Sequence, residues 1–369
     1  MMEIKALTVT DLKAAISSED FWHTKTLPIT KHRALSYIHN PRADKDDHVL
    51  LVACRDDRVI GYLGILPDNI FADNRAYKIG WLTSWWVDPS FTGTGVGAVL
   101  LFKALNAYRQ QLGVSGSSKE AGKVLDATRK FVALKTIKGV DIKLRFNASG
   151  ASLRKRPALK PFRLLLKLFD GITDEIVNYR SRAWQRRNDT LPHLTFEYIS
   201  AVDEETDRFI RKHNQQDLTR KAAADFNWIM NYPWILSAPL KDSIGRRYFF
   251  SSRADRFYYL GVKVFDQQKK MAGFFLAKVR DDRMTIVFSF FEHRHAHLVA
   301  AAAVYNALKM NVSILGLHDA QLAAGFAELR CPYWSTRRIS RGFSLSTSLA
   351  DTHLADCRLH GGDGDLAFY

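Results

Sequence analysis

Cysteine is scarce, with three in 369 residues. Cys54, Cys331 and Cys357 form no CxxC pair and no zinc spacing, which excludes a disulfide scaffold and leaves buried or incidental thiols in a reducing compartment. No run of about 18 uncharged apolar residues occurs. The opening MMEIKALTVTDLKAA has no apolar h-region, so the expected location is cytoplasmic. Acidic residues also fall short, at Asp+Glu 38 against Lys+Arg 54, a formal balance of +16. That excess favours an anionic partner, whether nucleic acid, a lipid surface or a phosphorylated small molecule. Apolar side chains are plentiful at 47%. They fill about two cores at roughly 150 residues each, which excludes disorder and a coiled coil.

Helical periodicity over Leu12 to Ile16 and Ser18 to Thr24 precedes three β-rich runs, Val49 to Arg55, Arg58 to Leu66 and Lys78 to Val87, which predict a meander. Past Pro89 a glycine-rich turn leads into a helix over Gly97 to Gln111, with Val99, Leu100, Phe102, Leu105 and Tyr108 at helical spacing. Gly113 to Ser117 reads as a strand and Ser118 to Arg129 as a helix capped by Ser117 or Ser118. Phe131 to Lys138 and Asp141 to Phe146 read as a closing hairpin turning at Gly139. A basic stretch follows, with Arg154, Lys155, Arg156, Lys160, Arg163 and Lys167 around Leu164 to Phe169. Its two readings are a solvated linker and a helix lying on anionic lipid through 154–169. From Leu194 the same grammar recurs: strand, two helices, three β-rich runs (Phe257 to Phe265, Met271 to Val279, Met284 to Phe291), then helix, strand, helix and strand. The sequence predicts an α/β (α+β) protein of two like domains in tandem, each a mostly antiparallel mixed sheet flanked by helices. The expected boundaries are 1–150, a basic helical linker over 151–190, and 191–369.

One segment carries a mechanism. Val87, Asp88, Pro89, Ser90, Phe91, Thr92, Gly93, Thr94, Gly95, Val96 and Gly97 lie between a strand and an amphipathic helix. Such a turn offers free backbone N–H groups and the positive end of a helix dipole to a phosphate. It has neither the Walker lysine nor the GxGxxG spacing. The Val-Asp-Pro start, the glycine slot Thr92 to Gly97 and the apolar helix resemble motif A of the GCN5-related N-acetyltransferases (GNATs), and the elements over 49–147 follow that family's order. The resemblance implies that backbone N–H groups of Thr92, Gly93, Thr94, Gly95, Val96 and Gly97 hold the pyrophosphate of acetyl-CoA. Trp86 and Val87 would pair with the pantetheine arm and polarise the thioester carbonyl. Catalysis would be mainly positioning, polarisation and removal of an amine proton.

Two departures from the family stand out. Thr92 replaces its usual Arg or Gln, and no tyrosine occurs between Gln110 and Asn178, where its general acid would fall near Asp126. Thr83 and Ser84, on the strand before the loop, are the candidates for amine handling, against a reading as alternate-face strand residues. In the second half the glycine loop is replaced by Phe291, Glu292, His293, Arg294, His295, Ala296 and His297. Histidines at i, i+2 and i+4 share a face only on a strand, and these precede a helix, so no metal is expected. The second half reads as a degenerate copy that shapes an acceptor cleft, with Glu292 or His293 as base candidates or as a solvated helix start. The ending Gly361 to Asp365 resembles tandem acetyltransferase-like proteins of bacterial envelope polysaccharide pathways. That likeness implies a carboxylate, Asp363 or Asp365, reaching the acceptor, against a frayed tail.

The implied function is an acyl-CoA-dependent N-acyltransferase, with acetyl-CoA as cosubstrate. Its acceptor is expected to be a small anionic molecule, an amine on a nucleotide amino sugar or another envelope polysaccharide precursor. The alternative is a non-catalytic acyl-CoA-binding or interaction protein. No helix-turn-helix, RNP motif or zinc finger supports nucleic acid as the partner.

Overall fold

Two runs of five strands meet at an exchanged pair. A computed structural model describes residues 1–73, 75–152, 157–187, 194–238, 247–350, 352, 354 and 356–369. Its strands are β1 (Met2–Thr8), β2 (His48–Arg55), β3 (Arg58–Ala72), β4 (Arg75–Val87), β5 (Leu112–Val114), β6 (Phe131–Lys143), β7 (Thr195–Ile199), the short β8 (Leu236–Ser237) and β9 (Arg253–Ala254), then β10 (Phe257–Phe265), β11 (Met271–Arg280), β12 (Arg283–Phe291), β13 (Ile314–Leu317) and β14 (Ser335–Ser346). All but β8 and β9 join one sheet in the order β1-β2-β3-β4-β5-β14-β6-β13-β12-β11-β10-β7. The order reads alike from both ends. Each end is an antiparallel meander finished by a parallel pair, β4 with β5 and β12 with β13. The tandem repeat expected from the sequence is present, and the last strand of each copy crosses into the other.

That exchange corrects the closing hairpin. β6 runs unbroken through Gly139, pairing with β14 from Phe131 to Lys143 and with β13 from Val140 to Lys143. Gly139 is there for close approach, since a Cβ would lie 2.3 Å from the Leu317 carbonyl oxygen. β1 is an addition: its largely exposed edge position gives it little of the alternation that marks a half-buried strand.

The helices are α1 (Val9–Ala15), α2 (Glu19–Trp22), α3 (Lys31–Ile38), α4 (Val96–Ala107), α5 (Lys119–Thr128), α6 (Arg163–Arg187), α7 (Glu204–His213), α8 (Ala223–Asn231), α9 (Ala296–Lys309) and α10 (Ala320–Glu328). Ser118 caps α5 through the Ala121 N–H at 3.2 Å. α4 buries Val96, Leu100, Leu101, Ala104 and Leu105 beneath its loop, at about 2 kcal/mol for each large side chain. Of the basic stretch, Lys160 lies in a 3₁₀ turn over Pro157–Phe162, Arg163 and Lys167 open α6, and Arg154, Lys155 and Arg156 lie outside the described residues. Among the described residues no helix is long and apolar enough to cross a membrane.

A buried polar network joins the halves. Asp68 accepts from Arg42 at 2.8 Å, Lys221 at 3.1 Å and the Trp81 indole at 3.2 Å, and Arg42 also binds Asp225 at 2.5 Å.

Candidate active site

The loop after β4 is set by Asp88. One carboxylate oxygen takes the Ser90 N–H at 2.9 Å and hydroxyl at 2.6 Å, and the other takes Arg58 at 2.6 Å. The Ser90 bonds, followed by Arg58, hold this carboxyl below its ordinary range. A short 3₁₀ turn, Pro89–Phe91, follows, then Gly93 and Gly95 at φ +82° and +86°. That region favours glycine, and a Cβ at either would meet nothing within 4 Å, so the loop's outer face is open. Thr92 and Thr94 spend their N–H groups on Pro89 and Phe91. No bond among the described residues takes up the N–H groups of Gly93, Gly95, Val96 or Gly97. They converge at the start of α4, as a bound phosphate requires.

Upstream, β4 carries a bulge. Tyr62 pairs with Trp86 and Gly64 with Thr83, so Ser84 and Trp85 together oppose Leu63. Ser84 takes φ +47°. A regular strand sends neighbouring side chains to opposite faces, and the bulge overrides this. Thr83 and Ser84 therefore both reach the Arg33 guanidinium of α3, Thr83 at 2.6 Å from Nη2 and Ser84 from Nη1. Arg33 is buried and, among the described residues, bonded only to hydroxyls: these two, Tyr37 at 2.9 Å, Tyr248 at 2.8 Å and Tyr369 at 2.8 Å. Its guanidinium carbon lies 3.7 Å from the Trp234 ring centroid, and no carboxylate among the described residues pairs with it. The Tyr369 hydroxyl also shares hydrogen bonds with Ser84 at 2.8 Å and Thr83 at 3.1 Å. Burial pushes the Tyr369 phenol above its ordinary value and Arg33 opposes the shift, so the hydroxyl stays protonated at neutral pH.

Between this cluster and β5 the sheet opens. β4 pairs with β5 only at Gly80–Leu112 and Trp81–Gly113. Beyond them a cavity of about 460 Å³ separates Thr83, Ser84 and Trp85 from Ser115, Gly116 and Ser117, with Asp365 and Tyr369 on its wall. Asp365 accepts from the Ser115 hydroxyl. The tail is packed rather than frayed: Asp363 is buried, accepting from Thr219 at 2.7 Å and the His360 N–H at 2.7 Å, and Phe368 stacks on Trp234.

At the corresponding place in the second copy, where β12 parts from β13, the chain's own tail fills the gap. Gly361 lies against His318 and Gly362 against Phe288, where a Cβ would come within 2.6 and 2.4 Å respectively. Glu292 and His293 stand at that copy's loop position. Glu292 pairs with Arg294 at 2.7 Å and Lys212 at 3.5 Å, and neither residue lines the cavity beside Thr83. Trp86 and Val87 end β4 and are not among the residues lining this cavity; Trp86 stacks on Phe249 at 4.4 Å. Arg33, Tyr248 and Tyr369 are the members that sequence reasoning missed, because their meeting spans nearly the whole chain. Among the described residues no three His, Cys, Asp or Glu side chains are grouped to hold a metal.

Residues 16–122 match the sequence model of the Acetyltransferase (GNAT) family. Among solved structures the chain is similar to a conserved protein of Enterococcus faecalis V583 named a probable N-acyltransferase, at TM-score 0.54 and 10% identity over 93% of this chain and 72% of that one. A GCN5-related N-acetyltransferase of Anabaena variabilis aligns at TM-score 0.49 and 10% identity, over 94% and 72% of the two chains. A tandem GNAT protein of the clavulanic acid pathway aligns at TM-score 0.49 and 11% identity, over 94% and 98%. No curated protein matches the chain in sequence.

Proposed function

Because the chain belongs to the acetyltransferase (GNAT) superfamily through residues 16–122, we propose that it is an acyl-CoA-dependent N-acyltransferase with its donor site in the first copy. The observation that carries this reading is the pairing of an opening between β4 and β5 with a glycine loop after β4 whose N–H groups are unused. The loop from Thr92 to Gly97 would hold the pyrophosphate of acetyl-CoA, and the end of β4 at Trp86 and Val87 the pantetheine arm. The donor supplies an activated acyl thioester. The chain's own groups supply the rest: Tyr369 donates a proton to the leaving sulfur, Thr83, Ser84 and Arg33 hold its hydroxyl in place, and Asp365 receives the amine proton. Glu292 and His293 take no part. The reading divides the chain into a donor unit over 1–150, a helical connection over 151–190, and a unit over 191–369 that closes the acceptor side. The acceptor fits a small anionic amine such as a nucleotide amino sugar or another envelope polysaccharide precursor.

The same reading gives α6 a lipid surface. Leu164, Leu165, Leu168, Ile172, Ile176 and Tyr179 lie along its outer side, and Leu164 is 76% exposed. Seven exposed cations flank them between residues 160 and 187, against Glu175 as the exposed carboxylate among the described residues there. A second copy would set cations against cations, whereas an anionic bilayer matches both the charge and the apolar face.

Acetyl-CoA is expected to raise the melting temperature and Gly95→Glu to abolish the rise; no rise at millimolar acetyl-CoA overturns the donor site. Thiol release with a panel of amino sugars and nucleotide amino sugars then tests catalysis. Silence across the panel with the thermal shift intact would leave an acyl-CoA-binding protein.

A further inference from the structure

Beside the donor cavity, and sharing Arg341, Leu366 and Tyr369 with it, lies a second cavity of about 510 Å³ where the two copies meet. Its wall carries four guanidinium groups, Arg280, Arg283, Arg337 and Arg341, and the amine of Lys278, against three carboxylates, Asp141, Asp281 and Asp282. Asp141 is spent on two of the cations, Arg283 at 2.6 Å and Arg337 at 2.9 Å. Asp282 takes Asn147 at 2.6 Å, and Asp281 takes the Asp255 N–H at 2.9 Å. Arg280 has the Ser251 hydroxyl at 3.0 Å, and the Lys278 amine, pushed down to about 7 by burial and then by Arg341, donates to the main-chain oxygens of Leu366 and Tyr369.

Arg341 is the outlier. It is exposed to solvent, lines both cavities, and makes no hydrogen bond or ion pair with any described residue. Burial first and Arg283 second push its guanidinium below the ordinary value. Burial, then Arg341, does the same to His318, a buried ring on this wall whose Nδ1 has no partner among the described residues. Cations that crowd one another at a concave seam are relieved by an anion, and a guanidinium with no other hydrogen bond can take two phosphate oxygens in a fork.

We propose that this cleft binds the phosphate group of a phosphorylated amine, with Arg341 as its principal ligand and Lys278 and Arg280 beside it. The amine end of that molecule then projects past Tyr369 toward Asp365 in the adjoining cavity. The cleft names the acceptor class, a phosphate ester of a small amine, and only the fate of the amine rests on the acyltransferase reading.

Titration calorimetry with glucosamine 6-phosphate, glucosamine and inorganic phosphate tests it. Using the Gly95→Glu chain keeps the donor loop from contributing a phosphate site. Glucosamine 6-phosphate is expected to bind that chain at least tenfold more tightly than either fragment. Arg341→Gln should weaken it by tenfold or more, and Arg341→Lys should restore part of the loss. Arg341 has no hydrogen bond or ion pair with a described residue to lose, so the circular dichroism of the single Arg341→Gln chain should match wild type. Equal binding of the sugar with and without phosphate, or affinity indifferent to Arg341→Gln, overturns the cleft. Loss of the acetyl-CoA shift in wild type overturns the donor site instead and leaves the calorimetric result standing.

Discussion

Arg33 donates to the Tyr369 hydroxyl at 2.8 Å, joining a helix of the first copy to the far end of the chain. On the proposed mechanism this contact would hold, from the second copy, the proton donor that α5 lacks. Tyr369→Phe keeps the ring and removes the proton. It is expected to lower kcat about a hundredfold while leaving KM for acetyl-CoA unchanged. Arg33→Lys offers three donors to five hydroxyls and should cost about 1–3 kcal/mol in a urea melt. A Tyr369→Phe chain with wild-type kcat would remove the tyrosine from the mechanism.

The loop and the meander were legible because their signals are local: alternation over Val49 to Arg55, glycines before an apolar helix, a serine cap at Ser118. Thr83 and Ser84 were legible as hydroxyls, but their convergence depends on a bulge set by pairing register, which no local pattern encodes. Tyr369 and Arg33 meet only after the last strands have exchanged. Gly139 was misread because glycine marks a turn and a close backbone approach with the same letter.

Gly139 and Gly93 separate those two uses of glycine. A methyl group at 139 meets the Leu317 carbonyl oxygen at 2.3 Å, backbone that cannot turn aside, so Gly139→Ala should destabilise by about 2–3 kcal/mol and disturb the β6–β13 pairing. At Gly93 the methyl has open space and only the positive φ is strained, about 1 kcal/mol. Chemical denaturation of the two variants checks the order; equal losses would mean the strand exchange tolerates displacement.

Asp68 holds Arg42 and Lys221 in a buried site between the copies. Their positive charges keep it below its ordinary carboxylate range despite burial, which acts the other way as the largest influence. Asp68→Asn leaves two buried cations sharing less negative charge and should cost about 3–5 kcal/mol. Thermal melts at neutral pH read the loss. A change under 1 kcal/mol would show that Asp225 alone compensates Arg42.

The exposed face of α6 predicts salt-sensitive binding to liposomes containing about a third anionic lipid, and little binding to neutral ones. Leu164→Glu with Leu168→Glu should reduce binding tenfold or more without lowering the melting temperature, because both side chains are exposed. Unchanged sedimentation with anionic vesicles would move the helix from lipid to a protein partner.

His318 makes stability depend on pH through the proposed cleft. Burial, with Arg341 next, lowers its pKa to about 4. In the unfolded chain it returns to about 6.5, so between the two values the unfolded state takes up a proton that the folded state refuses. Above pH 6.5 the ring is neutral in both states and costs nothing. As pH falls through the window stability drops, approaching a total of about 3 kcal/mol, and below pH 4 this contribution levels off. His318→Asn removes the titration, so its urea midpoint should fall less than wild type's between pH 7 and pH 4.5. Part of the shift comes from Arg341, and an anion at that guanidinium weakens the repulsion. Glucosamine 6-phosphate should therefore shrink the difference between the two chains at pH 5, and equal pH profiles without ligand would remove His318 as the source.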